Sequence, residues 1–209
     1  MVSISYLGHS CFLIKNDEVS FVIDPYEDGS VPGLKMPRVE ANYVFCSHNH
    51  SDHSAKDLVH LVSSDIRIDY EAIRVPHDHN NGEKRGLNDM YLFNFDGYRI
   101  LHLGDLGCIP SEEVLQKMKD VDVMLAPING FFTISAEELV KIAKRVQPRI
   151  LIPMHYYKKE EKSGYPDDNQ IETFKKLIEN YSEIEEKTIV IDEDIFMNSV
   201  IIFKHSFGR

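Results

Sequence analysis

Ser47-His48-Asn49-His50-Ser51-Asp52-His53 is the stretch from which the rest of the chain can be read. It puts four candidate metal ligands, His48, His50, Asp52 and His53, into six residues directly after the apolar run 43–46. In extended backbone, side chains alternate, so positions 48, 50 and 52 share one side and 53 points away. The following Ser54-Ala55-Lys56-Asp57 resembles a helix-capping box, and Leu58, Leu61 and Val62 keep helical apolar spacing. A helix starting there would rotate His53 toward a second centre. Neutral imidazoles with a carboxylate are what zinc and similar divalent ions take, and catalytic sites usually keep one position open. A merely solvated polar loop needs neither this density nor this spacing.

Working outward, other His and Asp residues follow strand-like runs. His77 and His79 come after the run 73–75, Asp105 after 98–103, and His155 after 150–154. Ligands of open α/β sheets gather outside the carboxyl ends of strands, so four strand ends can feed one rim. His77 and His79 lie on the same side of an extended segment, and spacing alone does not separate them. Further strands are predicted over 2–7, 11–15, 19–23, 90–95, 123–126, 188–191 and 199–203, with Asp96-Gly97 as a hairpin turn. Residues 26–39, broken by Pro32, Gly33 and Pro37, read as a long surface loop. Helices are predicted over 111–119, 135–146 and 170–181 from their apolar stripes. A β-rich opening followed by β/α alternation, with no linker-like segment, gives one α/β domain over residues 1–209.

The composition agrees. Among 209 residues, 23 Lys and Arg against 34 Asp and Glu leave a formal charge of −11. A chain of this size buries roughly 70% of its unfolded surface and needs no staple. No apolar run approaches the ~20 residues of a membrane span. The acidic balance disfavours nucleic acid, whose phosphates are met by Lys and Arg. Cys11, Cys46 and Cys108 are odd in number and widely spaced, giving no disulfide framework. With no visible secretory signal, the expectation is a cytoplasmic protein acting on a small molecule, without nucleic-acid or membrane partners. Whether it forms a homo-oligomer is left open.

His48-x-His50-x-Asp52-His53, then a histidine, then Gly104-Asp105, then a final histidine resembles the ligand order of the metallo-β-lactamase superfamily. The flanking words Gly8-His9-Ser10-Cys11-Phe12, Asp24-Pro25, Arg85-Gly86-Leu87-Asn88, His102-Leu103-Gly104-Asp105-Leu106-Gly107 and Pro153-Met154-His155-Tyr156 are similar to its small metal-dependent hydrolases, the L-ascorbate-6-phosphate lactonase branch among them. The resemblance covers about residues 1–160. It implies an αββα sandwich, two mixed sheets flanked by helices, with two divalent ions at one edge. Zn2+ is the first expectation, with Mn2+ or Fe2+ as alternatives. Carried over, His48, His50 and His79 hold one ion, Asp52, His53 and His155 the other, and Asp105 bridges. The family order favours His79 over His77, which becomes an outer contact. Two departures, Asn129-Gly130 for a glycine pair and Cys108 for a histidine, concern pocket shape and not ligands.

Around this set, His9 and Asp24 are candidates for orienting the ligating imidazoles, as outer groups commonly do. His102 reads as a buried histidine, and His60 and His205 as structural or solvated ones. Arg85 and Asn88 lie six and nine residues past His79 (85 − 79 and 88 − 79), in a polar, glycine-punctuated loop. An Arg fork there suits a phosphate or carboxylate on a substrate, or equally a loop salt bridge. Tyr156 is a candidate oxyanion donor or a packing residue, and 158–162 reads as a solvated charge run. The expected function is hydrolysis of a small anionic ester or lactone, sugar-phosphate lactones included, by a hydroxide activated between two metals and oriented by Asp52. The alternatives are a phosphodiesterase or nuclease of the same fold and a non-catalytic metal-binding protein.

Overall fold

The computed structural model describes residues 1–165, 170–191 and 199–208. Its strands coincide with runs of branched and aromatic residues, which fit a half-buried pleated surface. In chain order they are β1 (Val2–Gly8), β2 (Cys11–Lys15), β3 (Ser20–Ile23), β4 (Val39–Ala41), β5 (Tyr43–Phe45) and β6 (Val59–Leu61). Then follow β7 (Asp69–Pro76), β8 (Leu87–Phe95), β9 (Tyr98–His102), α1 (Glu112–Lys117), β10 (Val123–Pro127) and α2 (Ala136–Val146). The last are β11 (Ile150–Met154), α3 (Gln170–Leu177), β12 (Ser182–Ile184), β13 (Thr188–Ile191) and β14 (Ser199–Phe203).

Two mixed sheets result, one ordered β13-β1-β2-β3-β5 and one ordered β12-β14-β11-β10-β9-β8-β7. Asp96 and Gly97 close the β8–β9 hairpin with φ of 53° and 83°, and Phe95 pairs with Tyr98. Two successive positive φ values define the turn whose twist matches the flanking strands.

Period-two alternation explains how the layers stack. In the fully buried β10, Val123 and Leu125 face the five-stranded sheet, while Met124 and Ala126 face the helices. The inter-sheet core contains Phe21 and Phe93, with ring centroids 4.4 Å apart and both side chains fully buried. Burial of each such ring stabilises the fold by roughly 1.5–3 kcal/mol. Leu115, Leu139, Ile142 and Phe174 of the three helices cover the outer face of the seven-stranded sheet. The outer face of the other sheet is covered differently: Tyr26, Val31, Leu34 and Met36 of the loop pack there with Ala41 and Val59 of the β4–β6 ribbon. Among the described residues, the expected flanking helices therefore lie on one side only.

The helix expected from Ser54 does not form. The Ser54 hydroxyl donates to the His50 carbonyl instead (2.8 Å), and no side chain caps the short 3-10 turn Lys56–Leu58. The chain then continues as β6, paired in parallel with β4. Residues 158–162 are likewise not a solvated run, because Lys158 and Glu161 are buried. The Lys158 ammonium donates to the Phe203 carbonyl (2.7 Å) and lies 4.4 Å from the centre of the Tyr6 ring.

Candidate metal centre

Six strand ends meet at one edge of the stacked sheets. His9 follows β1, Asp24 follows β3, and the 47–53 stretch follows β5; His77 follows β7, Asp105 lies past β9, and His155 follows β11. Three of these residues, His9, Asp24 and His155, sit in the left-handed region with φ of 56°, 51° and 56°. Such backbone costs a non-glycine residue on the order of 1–3 kcal/mol and persists where the surroundings hold it in place. His53 is brought inward by a tight turn, its N–H donating to the His50 carbonyl at 2.9 Å, and not by a helix. The Asp105 loop needs glycine on both sides. A Cβ on Gly104 (φ 53°) would meet the Asn88 amide oxygen at 2.2 Å, and one on Gly107 would meet the Asp78 nitrogen at 2.1 Å.

Asp105 is the hub. Its Oδ2 lies 3.2 Å from His53 Nε2, 3.3 Å from His155 Nε2, 3.4 Å from His77 Nε2 and 3.9 Å from His48 Nε2. Donor atoms of His48, His50 and His77 form one mutual cluster within 4.8 Å, and those of His9, Asp52, His53 and His155 form another. His48 Nε2, His53 Nε2, His155 Nε2, His9 Nε2 and Asp105 Oδ1 are buried without a hydrogen-bond partner. Unpaired buried polar atoms are rare because each one forfeits its hydration. Two ligands of a tetrahedral zinc, each about 2.0–2.1 Å from it, sit roughly 3.3 Å apart. The donor set and its spacings therefore fit divalent ions.

The same need shows in the electrostatics. Burial, helped by the neighbouring His53, pulls the His48 imidazole down to about 3. Burial tends to lower His53 as well, but the carboxylates of Asp105 and Asp24 outweigh it and push it well above the ordinary histidine value. Burial alone would raise Asp105, yet His155 and His53 hold it well below the usual carboxylate range.

Asp24 orients both halves. It accepts from the Ser47 backbone N–H (2.7 Å), the Ser47 hydroxyl (2.7 Å) and His53 Nδ1 (2.8 Å). Because the Ser47 hydroxyl donates to Asp24, it can accept from His48 Nδ1, 2.9 Å away. Both Nε2 lone pairs are thereby turned to the centre. His102 is fully buried and spans the backbone, Nε2 to the Ser10 carbonyl (2.9 Å) and Nδ1 accepting from the Gly104 N–H (3.0 Å).

Several expected roles fall elsewhere. His77, not His79, joins His48 and His50. Asp78 accepts backbone N–H bonds from Asn80, Gly82, Lys84 and Arg85, which curls the chain away after His77. His79 consequently leaves the edge, is 56% exposed and bonds Glu138 at 3.0 Å. Asn88 is fully buried and does not line the cavity: its amide donates to the Leu103 carbonyl and accepts from the Asp105 N–H, setting the Asp105 loop. Tyr156 bonds the Phe203 carbonyl and lines a separate groove of about 640 Å³, which shares no residue with the cavity beside Asp105. Arg85 does reach the centre. A cavity of about 110 Å³ is lined by His50, Asp52, His77, Arg85, Asp105, Phe132, His155 and Tyr165. The Arg85 guanidinium lies 4.3 Å from the centre of the Phe132 ring. Phe132 and Tyr165 had no motif to mark them; both come from loops whose course only the fold reveals.

A model of the beta-lactamase superfamily domain matches residues 3–155, and the chain belongs to that family. A UPF0173 protein of Pyrococcus abyssi is 32% identical over 181 residues, covering 74% of this chain and 83% of the relative. A UPF0173 metal-dependent hydrolase of Natranaerobius thermophilus is 27% identical over 185 residues, with the same shares of 74% and 83%. A crystal structure from Thermotoga maritima, of a protein proposed to be a Zn-dependent hydrolase of the metallo-beta-lactamase superfamily, superposes with a TM-score of 0.77. It covers 97% of this chain and 98% of its own at 22% identity.

Proposed function

We propose that the protein is a metal-dependent hydrolase that holds two divalent ions and cleaves a small anionic ester or lactone. The observation that carries this reading is the ring of buried, unpartnered imidazole and carboxylate donors around Asp105. His48, His50 and His77 would hold one ion and Asp52, His53 and His155 the other, with Asp105 between them. Such a pair would supply a Lewis acid for the reacting oxygen and would lower the pKa of a bound water. The relatives' description as metal-dependent hydrolases supports the same class.

The chain's own part is positioning. Asp24 and Ser47 hold the Nδ1 atoms of His53 and His48, and Asp52, at the cavity wall, would orient the attacking water. Arg85 makes no side-chain hydrogen bond or ion pair among the described residues, so its fork remains available to a substrate anion. A protein of net charge −11 repels anions at long range, and one cation at the cavity mouth gives them a local focus. Binding there would bring the scissile bond to the ions, and contacts remote from the reacting bond raise rate in this way.

The test pairs elemental analysis with a panel of neutral esters, phosphorylated and carboxylated lactones, and phosphodiesters. About two equivalents of metal, chelator-sensitive hydrolysis of lactones or esters, and a preference for anionic members are expected. Arg85→Ala should abolish that preference and leave metal content unchanged. Turnover of phosphodiesters alone would replace the substrate class, and a metal-loaded protein inert on the whole panel would remove the catalytic reading.

A further inference from the structure

His9 stands where no orienting residue needs to be. We infer that His9 is itself a metal ligand, a further protein donor to the ion held by Asp52, His53 and His155; this rests on the two-ion reading above. Its Nε2 is buried and makes no hydrogen bond, although Asp52 Oδ2 lies only 3.3 Å away. An outer residue that steadied Asp52 would aim its N–H at that oxygen. Two ligands of one ion would instead sit about this far apart with neither directed at the other. His9 Nε2 shares its cluster with Asp52, His53 and His155, all donor atoms lying within 4.8 Å of one another. The His9 ring lies 3.9 Å, centre to centre, from His155 and 5.3 Å from His53.

The backbone aims it there. His9 is left-handed at the end of β1, and its carbonyl is held by the Tyr6 hydroxyl (3.1 Å) and by the His155 N–H (3.1 Å). The bond to His155 locks two of the proposed donors to each other through the main chain. The consequence is an unequal pair of sites. With Asp105 shared between the two ions, one site would have five protein donors and the other four. The site of His9, Asp52, His53 and His155 would then be the tighter one, and the less crowded site of His48, His50 and His77 would take a substrate oxygen by expanding to five-coordinate.

His9→Gln and His9→Ala test this. Gln places an amide near Nε2, within reach of a hydrogen bond to Asp52, but removes the imidazole. The chain already accommodates glutamine in left-handed backbone at Gln147 (φ 57°). Zn2+ affinity is read by competition with a chromophoric chelator, ligand field by the visible spectrum of the Co2+-loaded protein, and apo-state folding by circular dichroism in chelator. Both variants should weaken one of the two equivalents by about a hundredfold or more and change its Co2+ spectrum, since even outer partners of ligands are worth 10–100-fold. Gln retaining both equivalents at wild-type affinity, with an unchanged spectrum, would overturn the inference and leave His9 as a hydrogen-bonding neighbour of Asp52. Wild-type protein that never takes up a second equivalent would instead overturn the two-ion reading beneath it.

Discussion

His77 and His79 are two positions apart and are separated by what Asp78 does between them. By gathering four backbone N–H groups, the Asp78 carboxylate ends the strand direction at His77 and sends His79 toward α2. His77→Ala is therefore expected to lose at least half of the bound metal, while His79→Ala retains full metal content and nearly all activity; elemental analysis of the purified variants decides. The opposite pattern would mean that the loop rearranges when ions bind. At this scale the sequence was legible wherever candidate donors sit at fixed spacing on one segment, as in the 48–53 stretch, whose side chains the fold brings together. It was illegible where a turn of unmarked chemistry chooses between two like residues. Asn88 and Tyr156 were misplaced for a related reason: proximity in sequence to a ligand says nothing about which way a buried side chain points.

The helices repay a closer look at what starts them. Ser135 opens α2 with a complete capping box, its hydroxyl accepting from the Glu138 N–H and the Glu138 carboxylate accepting from the Ser135 N–H. Glu138 Oε1 also receives His79, so one carboxylate steadies both the helix start and the loop leaving the metal edge. Ser135→Ala should cost about 1 kcal/mol in urea-induced unfolding, the usual value of an N-cap, with the unfolding slope unchanged. A cost near zero would show that Glu138 alone holds the helix start. The similar pattern at Ser54 produced no helix, because the hydroxyl is taken by the His50 carbonyl and Val59 is drawn into the core beside β4. Local signals fixed α2 because tertiary contacts agreed with them, and failed at 54–62 because they did not. Nor could local pattern foretell that a glycine- and proline-broken loop, and not helices, would cover one sheet.

For the molecule as a whole, the buried Lys158 couples stability to pH. Desolvation pulls its ammonium down to about 8, against the partial support of Glu161 and Glu160. Between about pH 8 and 10 the unfolded chain holds a proton that the folded chain has released, so stability rises with pH in this window. Relative to Lys158→Met, the wild-type protein should gain on the order of 2–3 kcal/mol across it, measured by urea titrations at several pH values. A constant difference between the two would mean that the ammonium stays charged in place, held by the Phe203 carbonyl and the Tyr6 ring. Among the described residues no helix is long and apolar enough to cross a membrane. The order of the five-stranded sheet bears on how the chain assembles during synthesis. β1, made well before β13, pairs on one side with β2 and on the other with β13, Val2 standing opposite Ile191. Until residues 188–191 have left the ribosome, one edge of β1 is an unpaired ladder of N–H and C=O groups, the kind of template on which chains stick to each other. His9 hangs from the end of that same strand, so the strand that carries one candidate donor is paired on both sides only after residues 188–191 have been made.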